Sequence, residues 1–293
     1  MSEYHISVLL HEAIEALIIK QGEKYIDATL GGGGHTAEIL ERGGKVLGID
    51  ADSDAIDNIR LRITNYELKK QLTVFRGNFR DISSIAEETG FIQVAGILFD
   101  LGVSSYQFDK PEKGFSFQYD APLDMRMDTN LSVTAADLVN VLNKDELTEL
   151  FIKYGEEQYA KRIVSAIIDT RKIKRIETTK QLSELIARVY PRGEKKIHPA
   201  TKVFQALRIA VNDELNSLKE ALEETVGLLK PGGRLVVISF HSLEDRIVKN
   251  VFLEFSEKNQ GQIITKKPII PSYEEIETNK RSRSAKMRIF EKA

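Results

Sequence analysis

The sequence predicts an α/β chain with a mostly parallel sheet, an antiparallel C-terminal strand and an inserted all-helical domain. Three observations carry that prediction. Short apolar segments alternate with helix-period segments in the first third of the chain, the alternation stops near residue 108, and it resumes from about residue 202. Strands separated by helices pair in parallel through right-handed crossovers. The expected division is residues 1–108 and 202–293 for the α/β domain and 109–201 for the helical insert.

Lys24 to Thr29 reads as a buried strand running into glycines, and Thr36 to Glu41 opens a helix. Lys45 to Ile49 is a second strand stopped at Asp50. Ser53 to Ile63 has helical spacing, with Ile56, Ile59 and Ile63 on one side. Leu72 to Phe75 is a third strand, Asp81 to Glu88 a helix, and Val94 to Phe99 a fourth strand ending at Asp100. From about Asp109 to Asp128 the chain is rich in Pro, Gly, aromatic and acidic residues and shows no period. Thr134 to about Pro191 reads all-helical, with capping boxes at Asn143–Glu146 and Thr178–Gln181. Tyr159, Ile163, Ala166 and Ile167 form one apolar stripe. A long helix is then expected from Lys202 to Leu229, broken by Pro231-Gly232-Gly233. Arg234 to Ser239 is a strong strand, Glu244 to Phe255 a helix, and Gln262 to Thr265 and Lys286 to Phe290 a closing pair of strands.

Composition narrows the function. With 42% apolar and 29% charged residues the balance is that of an ordinary soluble protein. No apolar run is long enough to span a bilayer, and the N-terminus lacks a signal-peptide pattern, so a cytoplasmic protein is expected. The chain has no cysteine, which excludes disulfides, thiolate metal sites and cysteine nucleophiles. Its five histidines show no HxxxH or HExxH spacing, so no metal is implied. The net charge of −2 is not that of a general nucleic-acid binder. Basic runs do occur at 171–175, at Lys195-Lys196 and from Lys280 to Lys292, and they point modestly towards a polyanionic partner.

The motifs point to a nucleoside cofactor. Asp27-Ala28-Thr29-Leu30 leads into four consecutive glycines, Gly31 to Gly34, and then His35. Glycines between a strand and a helix let the backbone approach a ligand closely, at a cost in chain entropy with no evident structural gain. Asp50, at the tip of the second strand, stands where an acid accepts hydrogen bonds from ribose hydroxyls. Gly32-Gly33-Gly34-His35-Thr36-Ala37 also fits a GxGxxA pattern, which keeps a nicotinamide cofactor open. Three features favour S-adenosylmethionine. Asn78-Phe79 follows the third strand and suits an adenine edge and face. Asp100 points an acid into the same crevice. Pro231-Gly232-Gly233 precedes the fifth strand, and a hairpin-like pair closes the chain, the plan of a class I methyltransferase.

The loop Asp100-Leu101-Gly102-Val103-Ser104-Ser105-Tyr106 lacks the Pro-Pro-Tyr of many amino-methyltransferases. Methylation at C5 of a pyrimidine needs a cysteine thiolate, so this chain is unsuited to it. An exocyclic amine needs only acceptors for its hydrogens and good positioning, and Asp100 could provide the first. His241, in Ser239 to Arg246, is read either as structural or as touching RNA or the target base. Met125-Arg126-Met127 is read either as a packed loop or as a rim around the target nucleotide.

These residues resemble a known family. Ser7 to Glu12, the glycine run ending in His35, Asp100 to Ser105, Gly114 to Phe117, Pro122 to Met127, Ser239 to Arg246 and Arg281 to Lys286 are all similar to the ribosomal small-subunit RNA (cytosine-N4)-methyltransferase family, RsmH or MraW. The resemblance runs from near residue 5 to the chain end, with Tyr106 where the family often has proline. It implies a class I methyltransferase domain interrupted by a helical recognition domain. It implies S-adenosyl-L-methionine as methyl donor and N4 methylation of a cytidine near the decoding centre of 16S ribosomal RNA, with the small ribosomal subunit as partner. It places the cofactor at Gly33, Gly34, His35, Asp50, Phe79, Asp100 and Gln107, with Asp100 between cofactor and target amine. The alternatives are a nicotinamide-dependent oxidoreductase, a non-catalytic ribosome-assembly factor, and a methyltransferase for another RNA or DNA amine.

Overall fold

The computed structural model describes residues 7–103, 108, 110–190 and 197–293. They fall into two compact units, one of Met1–Ser104 with Leu215–Ala293 and the other of Ser105–Glu214.

The first unit is built on a seven-stranded sheet: β1 (Lys24–Asp27), β2 (Lys45–Asp50), β3 (Leu72–Arg76), β4 (Val94–Asp100), β5 (Leu229–Ser239), β6 (Gly261–Ile263) and β7 (Lys286–Lys292). The strand order is β3-β2-β1-β4-β5-β7-β6. The first five strands are parallel, with Asp27 opposite Gly48 and Leu98, while β7 lies antiparallel to β5 and β6. This is the class I methyltransferase sheet, with the antiparallel closing strand expected from the sequence.

Both faces are covered, which explains the near-continuous apolar strands. On one face Ile26, Leu47, Ile97, Phe99, Leu235 and Val237 pack against helices α5 (Ile82–Thr89), α11 (Glu214–Leu228) and α12 (Ser242–Glu257). On the other, the alternate residues Tyr25, Val46, Leu98, Val236 and Ile238 meet α1 (Leu10–Leu17), α2 (Gly34–Glu41) and α3 (Ser53–Arg62). The local signals are ordinary. Ile82, Ile85 and Ala86 put one face of α5 into the core, and Gly90 ends that helix in the left-handed region at φ 73°. Asp52 caps α3 by accepting from the Asp54 N–H. Two short helices, α4 (Tyr66–Lys69) and α13 (Tyr273–Thr278), complete the unit.

The second unit contains α6 (Ala135–Val141), α7 (Lys144–Gly155), α8 (Ala160–Arg171), α9 (Thr179–Val189) and α10 (Thr201–Asn212). The capping boxes at Asn143 and Thr178 form as expected, and Thr134 makes a third. Ile163 and Ile167 of the apolar stripe are fully buried.

Helices α1, α4 and α13 have no counterpart in the sequence expectation, and two expected elements are placed differently. The single helix from Lys202 to Leu229 is two helices, α10 and α11, separated by Asp213 in the left-handed region at φ 49°. The helical unit therefore reaches Glu214, beyond the boundary expected at residue 201. The cause is packing of α10 on α7. A Cβ at Gly155 would lie 2.7 Å from the Lys202 carbonyl oxygen, Lys202 Nζ donates to the Glu156 carbonyl, and Gln205 donates to that of Tyr154. Second, β5 begins at Leu229 and runs through Pro231-Gly232-Gly233, with a register shift between Val94 and Gly96 on β4. The Pro-Gly-Gly segment kinks the strand there, with Gly232 at φ 72°.

Candidate active site

Three of the parallel strands end in the same chemistry. Ile26-Asp27-Ala28, Ile49-Asp50-Ala51 and Phe99-Asp100-Leu101 each place an aspartate at the carboxyl end of a strand, where open α/β sheets bind ligands.

Asp27 is fully enclosed and organises the glycine loop. One carboxylate oxygen accepts from the Thr29 N–H at 3.3 Å and the other from the Thr36 hydroxyl at 2.7 Å. The Thr36 backbone N–H in the first turn of α2 also bonds this carboxylate. Asp50 accepts from the N–H groups of Gly31 (2.8 Å) and Asp52 (2.9 Å), so the loop is tied to the end of β2 as well. Each carboxylate oxygen carries two lone pairs, so Asp50 keeps capacity for a ribose hydroxyl. Burial pushes both Asp27 and Asp50 up to about 6, against the opposing pull of these hydrogen bonds.

Asp100 is held from its backbone. Its N–H donates to the Thr29 hydroxyl at 2.6 Å, which joins the glycine loop to the end of β4. Its carboxyl is 13% exposed, and Oδ2 lies 3.7 Å from His35 Nδ1. Among the described residues, the buried Oδ1 has no hydrogen-bond partner. Burial, followed by the charges of Asp27, Glu244 and Glu275, raises its pKa well above the usual carboxylate value.

The structure thus brings Gly33, Gly34, His35, Asp50 and Asp100 of the expected site to one edge of the sheet. Gln107 and the Ser104–Tyr106 motif lie outside the described residues. Phe79 follows β3 in a short 3-10 turn (Phe79–Asp81) and sets its ring edge-on to Phe99 at 5.8 Å. Asn78 spends its side-chain oxygen on the Arg80 N–H as the cap of that turn.

The glycines have a structural reason that the sequence did not reveal. Gly33 caps α2 in the left-handed region at φ 69°, and a Cβ there would collide with Ile59 Cδ1 of α3. A Cβ on Gly34 would collide with the Ser7 hydroxyl. The left-handed backbone favours glycine at Gly33, and at Gly34 a side chain would have to displace the Ser7 hydroxyl, so neither glycine answers to a ligand alone. His35 is buried, and no side chain caps α2, so its N-terminal backbone faces the same edge.

Asp27 and Thr29 were missed as site residues. The repeated apolar–Asp–apolar pattern at three strand ends was the signal that could have found Asp27. The role of Thr29 depends on a residue 71 positions away and left no local signal.

The two undecided segments resolve towards packing. His241 caps α12, accepting from the Glu244 N–H through Nδ1, while Glu244 accepts from the Phe240 and His241 N–H groups. Arg126 is committed to Asp124 and to the carbonyls of Thr129 and Leu131. Met125 is fully buried, and Asn212 ties its carbonyl to the Met127 N–H.

The residues fit a cationic nucleoside ligand. Three carboxylates with raised pKa values, Asp27 buried and Asp50 and Asp100 partly buried, favour a positive charge among them, and Asp100 holds an acceptor in reserve.

The sequence model of the MraW methylase family matches residues 2–293. A ribosomal RNA small subunit methyltransferase H from Carboxydothermus hydrogenoformans is 48% identical, covering 98% of this chain and 97% of its own. One of the same name from Brevibacillus brevis is 44% identical, covering 100% of this chain and 99% of its own. A solved rRNA methylase from Streptococcus thermophilus aligns at 11% identity and TM-score 0.44, over 97% of this chain and 93% of its own.

Proposed function

We propose that this chain, which belongs to the MraW methylase family, transfers a methyl group from S-adenosyl-L-methionine to the N4 amine of a cytidine in the decoding region of 16S ribosomal RNA. The observation that carries the reading is Asp100, a partly buried carboxylate at the end of β4 whose buried Oδ1 lacks a hydrogen-bond partner among the described residues. The full-length likeness to small-subunit rRNA methyltransferases supports the substrate.

S-adenosyl-L-methionine would supply an electrophilic methyl group on a sulfonium leaving group. Gly33, Gly34 and His35 would line its methionine end, Asp50 its ribose and Phe79 its adenine. The cytidine amine is a poor nucleophile because its lone pair is delocalised into the ring. Asp100 Oδ1 can accept an amine hydrogen and so favour a localised lone pair. A positive charge nearby draws Asp100 towards its ionised form, the form that accepts. Thr29 and Asp27 hold Asp100 and the glycine loop in one frame, and positioning of this kind supplies much of the rate when the leaving group is already good. The absence of any cysteine is consistent with an amine acceptor and not with C5 chemistry. The unit Ser105–Glu214 would be the inserted domain that recognises the substrate.

Tritiated methyl transfer to small ribosomal subunits from cells lacking this protein, followed by nucleoside analysis, tests the proposal. Labelled N4-methylcytidine is expected. Label in another nucleoside would reject the acceptor, and wild-type rates for Asp100→Ala would reject the role of Asp100.

A further inference from the structure

Beside the acidic edge lies a cavity of about 350 Å³, within the roughly 300–1,000 Å³ typical of small-ligand pockets. Its wall combines three chemistries. Phe240, Ile270 and Ile276 are apolar, Ser242 and Ser284 offer hydroxyls, and Arg283 supplies a cation. Lys286, which also lines the cavity, and Arg288, which does not, are both tied to Asp245, at 3.2 and 2.6 Å. Arg283 is exposed and, among the described residues, has no carboxylate partner. An aromatic face, hydroxyls and an uncommitted guanidinium together suit a flat base carrying a phosphate.

The cavity is next to the reacting centre but not over it. Asp100 does not line it. Phe240 Cδ2 lies 3.6 Å from where a Cβ on Gly102, two residues beyond Asp100, would sit. Glu275, adjacent to Ile276, and Glu244, whose carboxylate binds the Phe240 N–H, are both near enough to act on Asp100.

We propose that this cavity seats a nucleotide of the RNA strand next to the methylated one, with its base against Phe240 and its phosphate on Arg283. This rests on the RNA-methylating function proposed above and adds a specificity subsite to it.

The test measures affinity for small ribosomal subunits, and for a naked RNA of the same decoding-region sequence, as a function of salt. Arg283→Ala should weaken RNA binding by about fivefold and lower the salt slope by about 0.7, the value for one phosphate contact on a single strand. Cofactor affinity should stay at the wild-type value, and Arg283→Lys should keep most of the slope. Phe240→Leu should weaken binding by about fivefold with no change in slope, because stacking carries no counterion release. Wild-type affinity and slope in Arg283→Ala would overturn the proposal. So would a loss seen with subunits and absent with naked RNA, which would assign Arg283 to a ribosomal protein. If the wild-type protein binds these RNAs but labels neither, the methylation reading has failed, and the binding comparison still decides the subsite.

Discussion

Replacing Thr29 with valine deletes one oxygen while keeping the side chain's shape. The β1 ladder ends with Asp27 opposite Leu98, and the Thr29 hydroxyl carries the connection onward by accepting the Asp100 N–H at 2.6 Å. Without it that donor loses its acceptor, which costs about 1–3 kcal/mol for a fully buried group. Thr29 is half-buried, so water recovers part of this, and about 1 kcal/mol of lost stability is expected. The catalytic effect is separate. If about 1.4 kcal/mol of Asp100 alignment is needed only as the methyl moves, the single-turnover rate falls about tenfold. Single-turnover methyl transfer at saturating cofactor, run alongside urea unfolding, reads both quantities. Thr29→Val should be slow and slightly less stable with unchanged cofactor affinity, and Thr29→Ser should recover the rate. A Thr29→Val protein that is less stable but transfers at the wild-type rate would show that the hydroxyl serves the fold alone. A Thr29→Ser protein as slow as Thr29→Val would also refute the positioning role.

Three further outcomes are expected. Burial holds Asp27 and Asp50 near 6, so the folded protein keeps protons that the unfolded chain releases near pH 4. The stability they contribute is present below about pH 4 and lost as pH rises through about 6; urea midpoints across that window should fall, and an equal fall in Asp50→Asn would contradict this. Gly33→Ala combines a left-handed backbone cost with the collision on Ile59, about 2–4 kcal/mol together, measurable by urea unfolding, whereas a change below about 1 kcal/mol would mean that α3 moves aside. Asp245→Ala leaves Arg288 and Lys286 without their shared carboxylate and should lower stability by about 2 kcal/mol, less than for a fully buried pair because Lys286 reaches solvent; a thermal midpoint unchanged from wild type would refute that.

The fold was legible because its signals are local. Alternation of strand and helix periods, Gly and Pro breaks, and side-chain caps each lie within a few residues, and the described strands β1 to β4 follow them closely. The break at Asp213 was not legible. In the segment from Lys202 to Leu229, Asn212-Asp213 interrupts the helical propensity, a weak signal within an otherwise helical pattern, and α10 docks on α7 at Gly155. The start of β5 was misplaced for a related reason. Pro231-Gly232-Gly233 stops a helix in isolation, but the neighbouring β4 accepts it as a kinked strand end.

At the candidate site, residue identities were visible and their connections were not. Asp50 and Asp100 could be picked out because acids at the tips of buried strands are exceptional in apolar surroundings. The glycine run was noticed for a ligand, although Gly33 and Gly34 also answer to Ile59 and Ser7. His241 was recognisable as unusual, and its capping role needed the geometry of Glu244.

By itself the sequence determined the element order, the parallel sheet with its antiparallel end, the acids at the strand tips and the exclusion of thiol chemistry. Those properties depend on periodicity, composition and short spacings, which the chain carries without its fold. Tertiary structure alone decided that Thr29 holds Asp100, that burial lifts Asp27 and Asp50 to about 6, and that Phe240 and Arg283 face one cavity. Each of these needs residues far apart in the chain to meet where water is excluded, and dielectric, desolvation and hydrogen-bond partners exist only once the sheet has formed.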